Sequence, residues 1–208
     1  MTLPAIISNN CWGAAFYQER EIPYNTPTVG LWIHADDYLA LLEGFPRLIR
    51  SPLTFAPSRH GAFTYPTGLL GGEVEIQFMH YESREEALSK WTARSQRLPG
   101  DTGDLRIKIC DRDGLEQSHL DRFAALPFRN KVAFLTQGRF NVADYPWAIE
   151  VDGDGPFVAD GATLWNATKA TERFNAADWM ASPTPPAPPL SPPASGPDRH
   201  SAGPSGGR

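Results

Sequence analysis

Cys11 and His80 are the two residues of this sequence whose types best suit nucleophilic catalysis. Cys11 lies in a polar turn between a short apolar run, Leu3–Ile7, and a helical pattern that begins at Trp12. Because the start of a helix favours negative charge, we expect the Cys11 thiol to have a lowered pKa. His80 ends a predicted strand over 74–80 and is the candidate general base for an acyl transfer. A small buried cysteine and a histidine packed in the core are the structural alternatives.

Other polar and basic side chains have the chemistry to bind sugar or phosphate oxygens. The turn Tyr24-Asn25-Thr26 carries hydroxyl and amide groups just before a predicted strand. Arg94 lies on a predicted helix and Lys131 begins a predicted strand, so both are candidate anion ligands. Structural alternatives stay open, because Asn25 can close its own turn and helix charges such as Arg94 are commonly solvated.

Asp111 and Asp113 form an Asp-x-Asp pair directly after an apolar strand. Metal-dependent glycosyltransferases hold a divalent cation against a sugar-nucleotide diphosphate with such a pair, and hard carboxylate oxygens suit magnesium or manganese. The pair therefore predicts a divalent metal together with a sugar nucleotide. The alternative is a simple turn, for which Asp113-Gly114 is well suited.

Apolar runs typical of strands alternate along the chain with amphipathic stretches typical of helices. The predicted strands are 3–7, 28–33, 53–56, 74–80, 105–110, 131–135 and, at a sheet edge, 147–151. One predicted helix begins at Trp12, and a second places Tyr38, Leu41, Leu42, Phe45 and Leu48 on one face. A third runs from the Ser83 capping pattern to Leu98, and a fourth covers 115–126.

This order of elements predicts an α/β fold with a mainly parallel sheet and helices on both faces. Open parallel sheets bind ligands beyond the carboxyl ends of their strands. Residues 9–11, 80–81 and 111–113 follow three of the predicted strands. We therefore expect these residues to form the functional edge of the sheet.

Composition limits the class of protein. The net charge of −5 argues against general nucleic-acid binding, and two cysteines in 208 residues fit a reducing compartment. With neither a signal-peptide pattern nor an apolar run of membrane-spanning length, the sequence predicts a cytoplasmic protein without a membrane span. Residues 182–208 hold nine of the 20 prolines and are predicted to be a disordered Pro/Ser/Gly-rich tail after one α/β domain over 1–181.

Three common catalytic motifs are missing from the sequence. It has no Gly-x-Gly-x-x-Gly, no Gly-x-x-x-x-Gly-Lys-[Ser/Thr] and no Gly-x-Ser-x-Gly. A dinucleotide oxidoreductase, a P-loop ATPase and a serine hydrolase are therefore disfavoured. No hexapeptide repeat of the left-handed β-helix acetyltransferases is present either.

Seven segments in unchanged order over about the first 150 residues resemble a bacterial family of unknown function. They are 7–13, 24–31, 37–39, 65–68, 78–81, Ala87 with Trp91 and Arg94, and 126–128 with 130–132. Members of that family are commonly labelled exopolysaccharide biosynthesis protein or, less often, acetyltransferase. The resemblance implies a Rossmann-like α/β fold. It also makes the motif residues Asn9, Asn10, Trp12, Gly13 and Tyr81 candidate substrate-binding residues.

These observations lead to two hypotheses of different class. The first is an exopolysaccharide or surface-glycan biosynthesis protein, a cytoplasmic glycosyl or acyl transferase that acts on an activated sugar or a glycan precursor. The second is a non-catalytic α/β module that binds an anionic sugar or nucleotide, or an accessory subunit. In both cases the partner is a small molecule or a glycan, and the sequence leaves the oligomeric state open.

Overall fold

The computed structural model describes residues 3–152 and 155–181 of the chain. Its strands are β1 (Ala5–Ser8), β2 (Leu53–Phe55), β3 (Thr67–Leu70), β4 (Val74–Gln77), β5 (Leu105–Cys110), β6 (Lys131–Thr136) and β7 (Ala148–Val151). Its helices are α1 (Trp12–Glu19), α2 (Ala35–Glu43), α3 (Phe45–Leu48), α4 (Arg84–Ser95), α5 (Gln117–Ala125), α6 (Gly161–Ala170) and α7 (Ala176–Ala181). The predicted tail over 182–208 lies outside the described residues.

The main sheet has the strand order β1-β5-β6-β7, and all of its neighbouring strands are parallel. Ile7 pairs with Ile107 and Ile109 with Ala133, so the carboxyl ends of β1, β5 and β6 lie at one edge. Strands β2, β3 and β4 form a separate antiparallel sheet. The prediction of a mainly parallel α/β fold is confirmed.

Strand β5 divides the interior into two layers because successive side chains of a strand point to opposite faces. Leu105, Ile107 and Ile109 belong to the core that includes α2, α4, α5 and the antiparallel sheet. Arg106, Lys108 and Cys110 alternate with them, and Cys110 belongs to the second core, formed with α1, α6 and α7. Helices therefore cover both faces of the main sheet, and two buried cationic residues lie within it.

The predicted strand over 28–33 is wrong. This segment is irregular apart from an isolated antiparallel bridge between Trp32 and Gln77. Its polar groups reach the outer edge of β1 through side chains: Thr28 Oγ1 accepts from the backbone N–H of Ser8 at 3.2 Å and donates to the carbonyl of Ile6 at 3.3 Å. Side-chain hydroxyls thus replace the backbone ladder that a neighbouring strand would supply.

Several other boundaries also differ from the prediction. The helical face over 38–48 is divided between α2 and α3 at Gly44, where Pro46 begins a new turn. Strand β4 ends at Gln77, so His80 lies beyond it and follows an antiparallel strand rather than a parallel one. The sequence analysis did not predict β3, α6 or α7.

The predictions for α4, β5 and β7 are confirmed. The helix after Ser83 is α4, and the Ser83 hydroxyl accepts from the backbone N–H of Glu86 at 3.1 Å as an N-cap. Strand β5 has the predicted bounds, and β7 lies at the edge of the main sheet. In the part of the chain that the structure describes, no helix is both long and apolar enough to cross a bilayer.

Tyr38 of α2 fixes the carboxyl ends of β1 and β5. Its buried hydroxyl lies 2.8 Å from the carbonyl oxygen of Ile7 and 2.9 Å from that of Lys108, so it serves both strands. Burial raises the pKa of Tyr38 well above its ordinary value, which keeps the hydroxyl a donor. This contact holds α2 against the edge where the candidate functional residues lie.

We expect Tyr38→Phe to lower the free energy of unfolding by about 1–3 kcal/mol, because it removes the buried hydroxyl donor beside the Ile7 and Lys108 carbonyl groups. The matched control is Tyr145→Phe, whose hydroxyl bonds to Asp121 on the exposed surface. The control should change stability by less than about 0.5 kcal/mol. Urea denaturation of both variants measures the difference, and equal values for the two would contradict a structural role for Tyr38.

Candidate functional site

A cavity of about 540 Å³ lies beyond the carboxyl ends of β1 and β5. We call it the strand-edge cavity. The turn after β1, the turn after β5, the segment after β4 and the start of α6 all contribute to its wall. Its lining residues are Cys11, Trp32, Met79, His80, Arg112, Asp113, Asp160, Gly161 and Ala162. The structure therefore brings Cys11, His80 and Asp113 from three separate segments into one cavity.

A buried polar network lies directly behind this cavity. Lys108 has no exposed surface, and its ammonium donates to Asn9 Oδ1 at 3.2 Å and to Asn10 Oδ1 at 2.8 Å. The Nδ2 groups of Asn9 and Asn10 donate in turn to Asp113 Oδ2, at 3.3 and 3.4 Å. Two amide groups thus join a buried cation to a carboxylate, with each amide oxygen toward the cation.

Asp113 is held in an uncommon backbone conformation at the cavity wall. Its φ is 67°, in the left-handed region, and Gly114 follows at 86°. The backbone N–H of Ala35 donates to the Asp113 carbonyl at 2.9 Å and fixes the turn. Burial raises the pKa of the Asp113 carboxyl, and the charge of Lys108 and the hydrogen bond from Asn10 oppose that rise. A carboxyl group with a raised pKa in a cavity is typical of acid–base chemistry.

The environment of Cys11 is opposite to the one expected. Its Sγ lies 3.7 Å from the carbonyl oxygen of Leu31, and burial raises the pKa of the thiol despite the charge of Lys108. The backbone of Gly161, at the start of α6, also lies close to Cys11, because a Cβ added at Gly161 would lie only 2.7 Å from the Cβ of Cys11. Partial burial of the Cys11 side chain therefore favours the neutral thiol.

Cys11 and His80 share the strand-edge cavity, which agrees with the expectation that they converge. Within residues 3–152 and 155–181, however, no hydrogen bond joins the two side chains. The proposed nucleophile and base thus have a common cavity but not the direct contact of an activated pair.

Asp111 and Asp113, the predicted metal pair, have different hydrogen-bond partners. Asp111 is buried, and its Oδ1 accepts from the backbone N–H of Val158 at 2.8 Å. Its Oδ2 accepts from the backbone N–H of Thr136 at 2.9 Å and from Arg139 at 3.2 Å. Both carboxylate oxygens of Asp111 are engaged in fixing loops, whereas Asp113 faces the strand-edge cavity. Among the described residues, no group of three His, Cys, Asp or Glu side chains could hold a metal ion.

The turn Tyr24-Asn25-Thr26 has a structural role in place of the predicted ligand contacts. The Tyr17 hydroxyl accepts from the backbone N–H of Ile6 at 3.0 Å and donates to Asn25 Oδ1 at 2.7 Å. Asn25 Nδ2 donates to the carbonyl of Leu3 at 2.7 Å. Thr26 is buried, with its hydroxyl 3.0 Å from that of Thr28. These groups close the edge of β1.

Lys131 also has a structural role. Its ammonium donates to the carbonyl groups of Phe123, Ala124 and Leu126 at 2.8, 2.8 and 2.9 Å. These carbonyls end helix α5, where the helix dipole favours a cation. Three carbonyl groups of the chain thus surround the Lys131 ammonium, which was predicted to bind a substrate anion.

Arg94, Tyr81 and Tyr24 form a connected group beside the segment over 24–29. Arg94 donates to the Tyr81 hydroxyl at 2.7 Å, and its guanidinium lies 4.9 Å from the centre of the Tyr24 ring. The Tyr81 hydroxyl donates to the carbonyl of Val29. These contacts attach α4 to the segment over 24–29 and use the polar groups that were predicted to bind substrate.

Trp12 and Gly13 belong to the packing of α1. Trp12 is fully buried among aromatic rings of the second core, and its Nε1 donates to Thr168 Oγ1 at 3.2 Å. A Cβ on Gly13 would lie 3.0 Å from Ile6 Cγ2 and 3.1 Å from Ser8 Cβ. Trp12 and Gly13 therefore set how closely α1 approaches β1. The neighbouring Asn9 and Asn10 instead contact the Asp113 carboxylate at the cavity.

Sequence reasoning missed Lys108, Arg112, Trp32 and Asp160. A signal existed for Lys108, because a lysine in the middle of the apolar strand Leu105–Cys110 has to be buried or to face a polar pocket. Arg112 lies between the two aspartates that were singled out. Asp160 had no signal, because α6 itself was not predicted.

Two comparisons with known proteins bear on this chain. Residues 3–149 match the family model described as a domain of unknown function, DUF1919. An uncharacterized protein of Haemophilus influenzae is 34% identical over 177 residues, which cover 84% of this chain and 82% of that protein. The family model covers β1, β5 and the turns that carry Asn9, Asn10 and Asp113. The chain therefore belongs to the DUF1919 family.

Proposed function

We propose that the protein is an enzyme of surface-glycan assembly, a cytoplasmic transferase that acts on an activated sugar or a glycan precursor in the strand-edge cavity. One observation carries the proposal. The cavity gathers a carboxyl with a raised pKa, a guanidinium, an imidazole and an indole at the carboxyl edge of parallel strands. The resemblance of the seven ordered segments supports a glycan as the substrate class.

In this proposal Asp113 is the general base. Its carboxylate accepts the proton of an acceptor hydroxyl while the acceptor oxygen forms a bond to the anomeric carbon of the activated sugar. The bond from that carbon to the diphosphate oxygen breaks, and the nucleoside diphosphate leaves with the electron pair. Asn9 and Asn10 both donate to Oδ2 and so orient the carboxylate toward the cavity.

Arg112 is the proposed ligand of the leaving phosphate. It lines the cavity beside Asp113, and it donates to the carbonyl of Val158 at 3.3 Å, which fixes part of its side chain. A guanidinium binds phosphate oxygens in pairs and stays charged, so it can stabilise the charge that develops on the leaving group. His80, on the opposite segment, is then a candidate hydrogen-bond donor to a substrate hydroxyl.

Cys11 is a wall residue in this proposal rather than the nucleophile, because burial favours its neutral thiol. The same observation supports the second candidate function, a non-catalytic module that binds an anionic sugar or nucleotide. The two candidates differ in turnover and share the cavity. Variants of Asp113 and Arg112 therefore separate them.

The first prediction of this proposal concerns which ligand binds the cavity and whether the protein turns it over. In a melting-temperature screen of nucleotides, sugar nucleotides and coenzyme A, we expect sugar nucleotides to raise the melting temperature, because a ligand bound only by the folded state stabilises it. Arg112→Gln should remove that rise, whereas Arg129→Gln, on the exposed surface, should keep it.

With a stabilising sugar nucleotide identified, Asp113→Asn should reduce turnover by about 10²–10⁴-fold, and the exposed Asp144→Asn should not. Saturable binding without turnover in the wild type would favour the module.

The second prediction concerns the pH dependence of Cys11. Because burial raises its pKa, the thiolate forms only above the pH at which an ordinary cysteine ionises. Alkylation of Cys11 by iodoacetamide should therefore be slow near pH 8 and accelerate at pH values above the ordinary thiol pKa of about 8.5. Peptide mass spectrometry after timed alkylation measures the rate. Cys11→Ser should keep ligand binding, and fast alkylation at neutral pH would restore Cys11 as the candidate nucleophile.

The third prediction concerns Lys108. Replacing Lys108 with methionine removes the charge that opposes the effect of burial, so the pKa of Asp113 should rise further. Carbon-detected NMR titration of the aspartate carboxyl groups measures this shift, with exposed Lys90→Met as the control. If the Lys108→Met variant folds and the pKa of Asp113 is unchanged, Lys108 does not act on the Asp113 carboxyl.

A further inference from the structure

A second cavity, of about 630 Å³, lies beside the first. We call it the loop cavity, because the loop over 56–67 forms most of its wall and the start of α4 completes it. Its lining residues are 56–58, 61–67 and 82–84. Its volume is within the range of about 300–1,000 Å³ that ligand pockets commonly have. None of the roles described above for the strand-edge cavity uses it.

Aromatic rings connect the two cavities. Phe63 stacks on Tyr65 with ring centres 4.9 Å apart and an angle of 10° between the planes. The ring of Trp32 meets Phe63 edge-on at 5.7 Å, and its Nε1 donates to the Tyr65 hydroxyl at 3.1 Å. Trp32 also lines the strand-edge cavity. The aromatic wall thus begins at the candidate site and continues into the loop cavity.

Buried charges hold this loop in place. Asp37 and Glu75 are only 6% and 3% exposed. Asp37 accepts from Arg59 at 2.6 Å and lies 2.9 Å from His60 Nε2, while Glu75 accepts from the backbone N–H and the side chain of Arg59 at 2.9 and 3.0 Å. A loop without regular structure is therefore fixed by two buried carboxylates. Such anchoring lowers the conformational entropy that a ligand has to remove when it binds.

The rim and the wall of the loop cavity have different chemistry. Phe63 is 37% exposed despite its size, so an apolar ring faces solvent where the loop turns. The opposite rim carries Glu82, Ser83 and Arg84. An apolar face opposite hydroxyl, carboxylate and guanidinium groups matches a pyranose ring, which has C–H groups on its faces and hydroxyl groups around its perimeter.

We propose that the loop cavity is a subsite for a sugar unit of the glycan acceptor. The sugar packs a C–H face on Phe63 and directs hydroxyl groups to Glu82 and Arg84. This inference rests on the proposed function, since it assigns the acceptor of the same transferase. An acceptor that reaches both cavities contains more than one sugar unit, and its binding far from the reacting bond positions the acceptor hydroxyl at Asp113.

The test is an NMR titration of the full chain labelled with ¹⁵N. The probes are maltotriose, cellotriose and N,N′-diacetylchitobiose for the loop cavity, and UDP-glucose for the strand-edge cavity. We expect at least one saccharide to shift the amide signals of Gly61, Phe63 and Thr64, with an affinity that falls by about tenfold in Phe63→Ala, equivalent to 1.4 kcal/mol. Leu88→Ala removes a comparably exposed apolar side chain, 42% exposed on α4, and should leave the affinity unchanged.

The outcomes separate the subsite from the transferase. Loop signals that respond to none of the three saccharides, or an affinity that Phe63→Ala leaves unchanged, would overturn the acceptor subsite. A response of the loop to free uridine instead would assign the aromatic wall to a nucleobase and also overturn it. If saccharides bind the loop while UDP-glucose leaves the signals of Gly161 and Asp113 unmoved, the subsite stands and the sugar-nucleotide transferase fails.

Discussion

A positive charge inside the main sheet is the constraint on which the candidate site depends. Lys108 has no exposed surface, and a buried ammonium without polar partners would be strongly destabilising. Its partners are the amide oxygens of Asn9 and Asn10, and the same amides donate to Asp113. The turn after β1 and the turn after β5 are therefore linked through one network. The linkage holds the cavity carboxylate of Asp113, whose backbone has a positive φ of 67°.

Much of the remaining polar chemistry serves to complete the fold. Strand β1 is an edge strand of the main sheet, and its outer backbone groups bond to Tyr17 and Thr28 in place of another strand. Asp111 fixes loops after β6 and before α6, and Lys131 ends α5. The Asp111 and Lys131 side chains are of chemically reactive types, yet their charged groups are engaged in hydrogen bonds that hold the fold. Chemical type alone is therefore a weak guide to function, because a buried polar group has to find a partner wherever the fold provides one.

The antiparallel sheet positions residues beside the cavity of the parallel sheet. Strand β4 supplies Glu75, whose carboxylate anchors the loop over 56–67, and Trp32 is bridged to Gln77 at the end of the same strand. Trp32 therefore receives its position from the antiparallel sheet and faces the cavity of the parallel sheet. The small sheet thus supplies one aromatic wall residue of the cavity, and the turn after β5 of the main sheet supplies Asp113.

The sequence by itself determined the elements whose signals are local. The alternating pattern of β5 and the Ser83 cap of α4 were sufficient, because strand periodicity and capping depend on neighbours within a few residues. The convergence of residues 9–11 and 111–113 also followed from the sequence, since parallel strands end at one edge. The tertiary structure alone decided which polar groups remain available. The partners of Asn25, Asp111 and Lys108 lie 22, 47 and up to 99 residues away. The positions of His80 and Gly161 depend on the antiparallel pairing of β4 and on helix α6, neither of which a local pattern predicted.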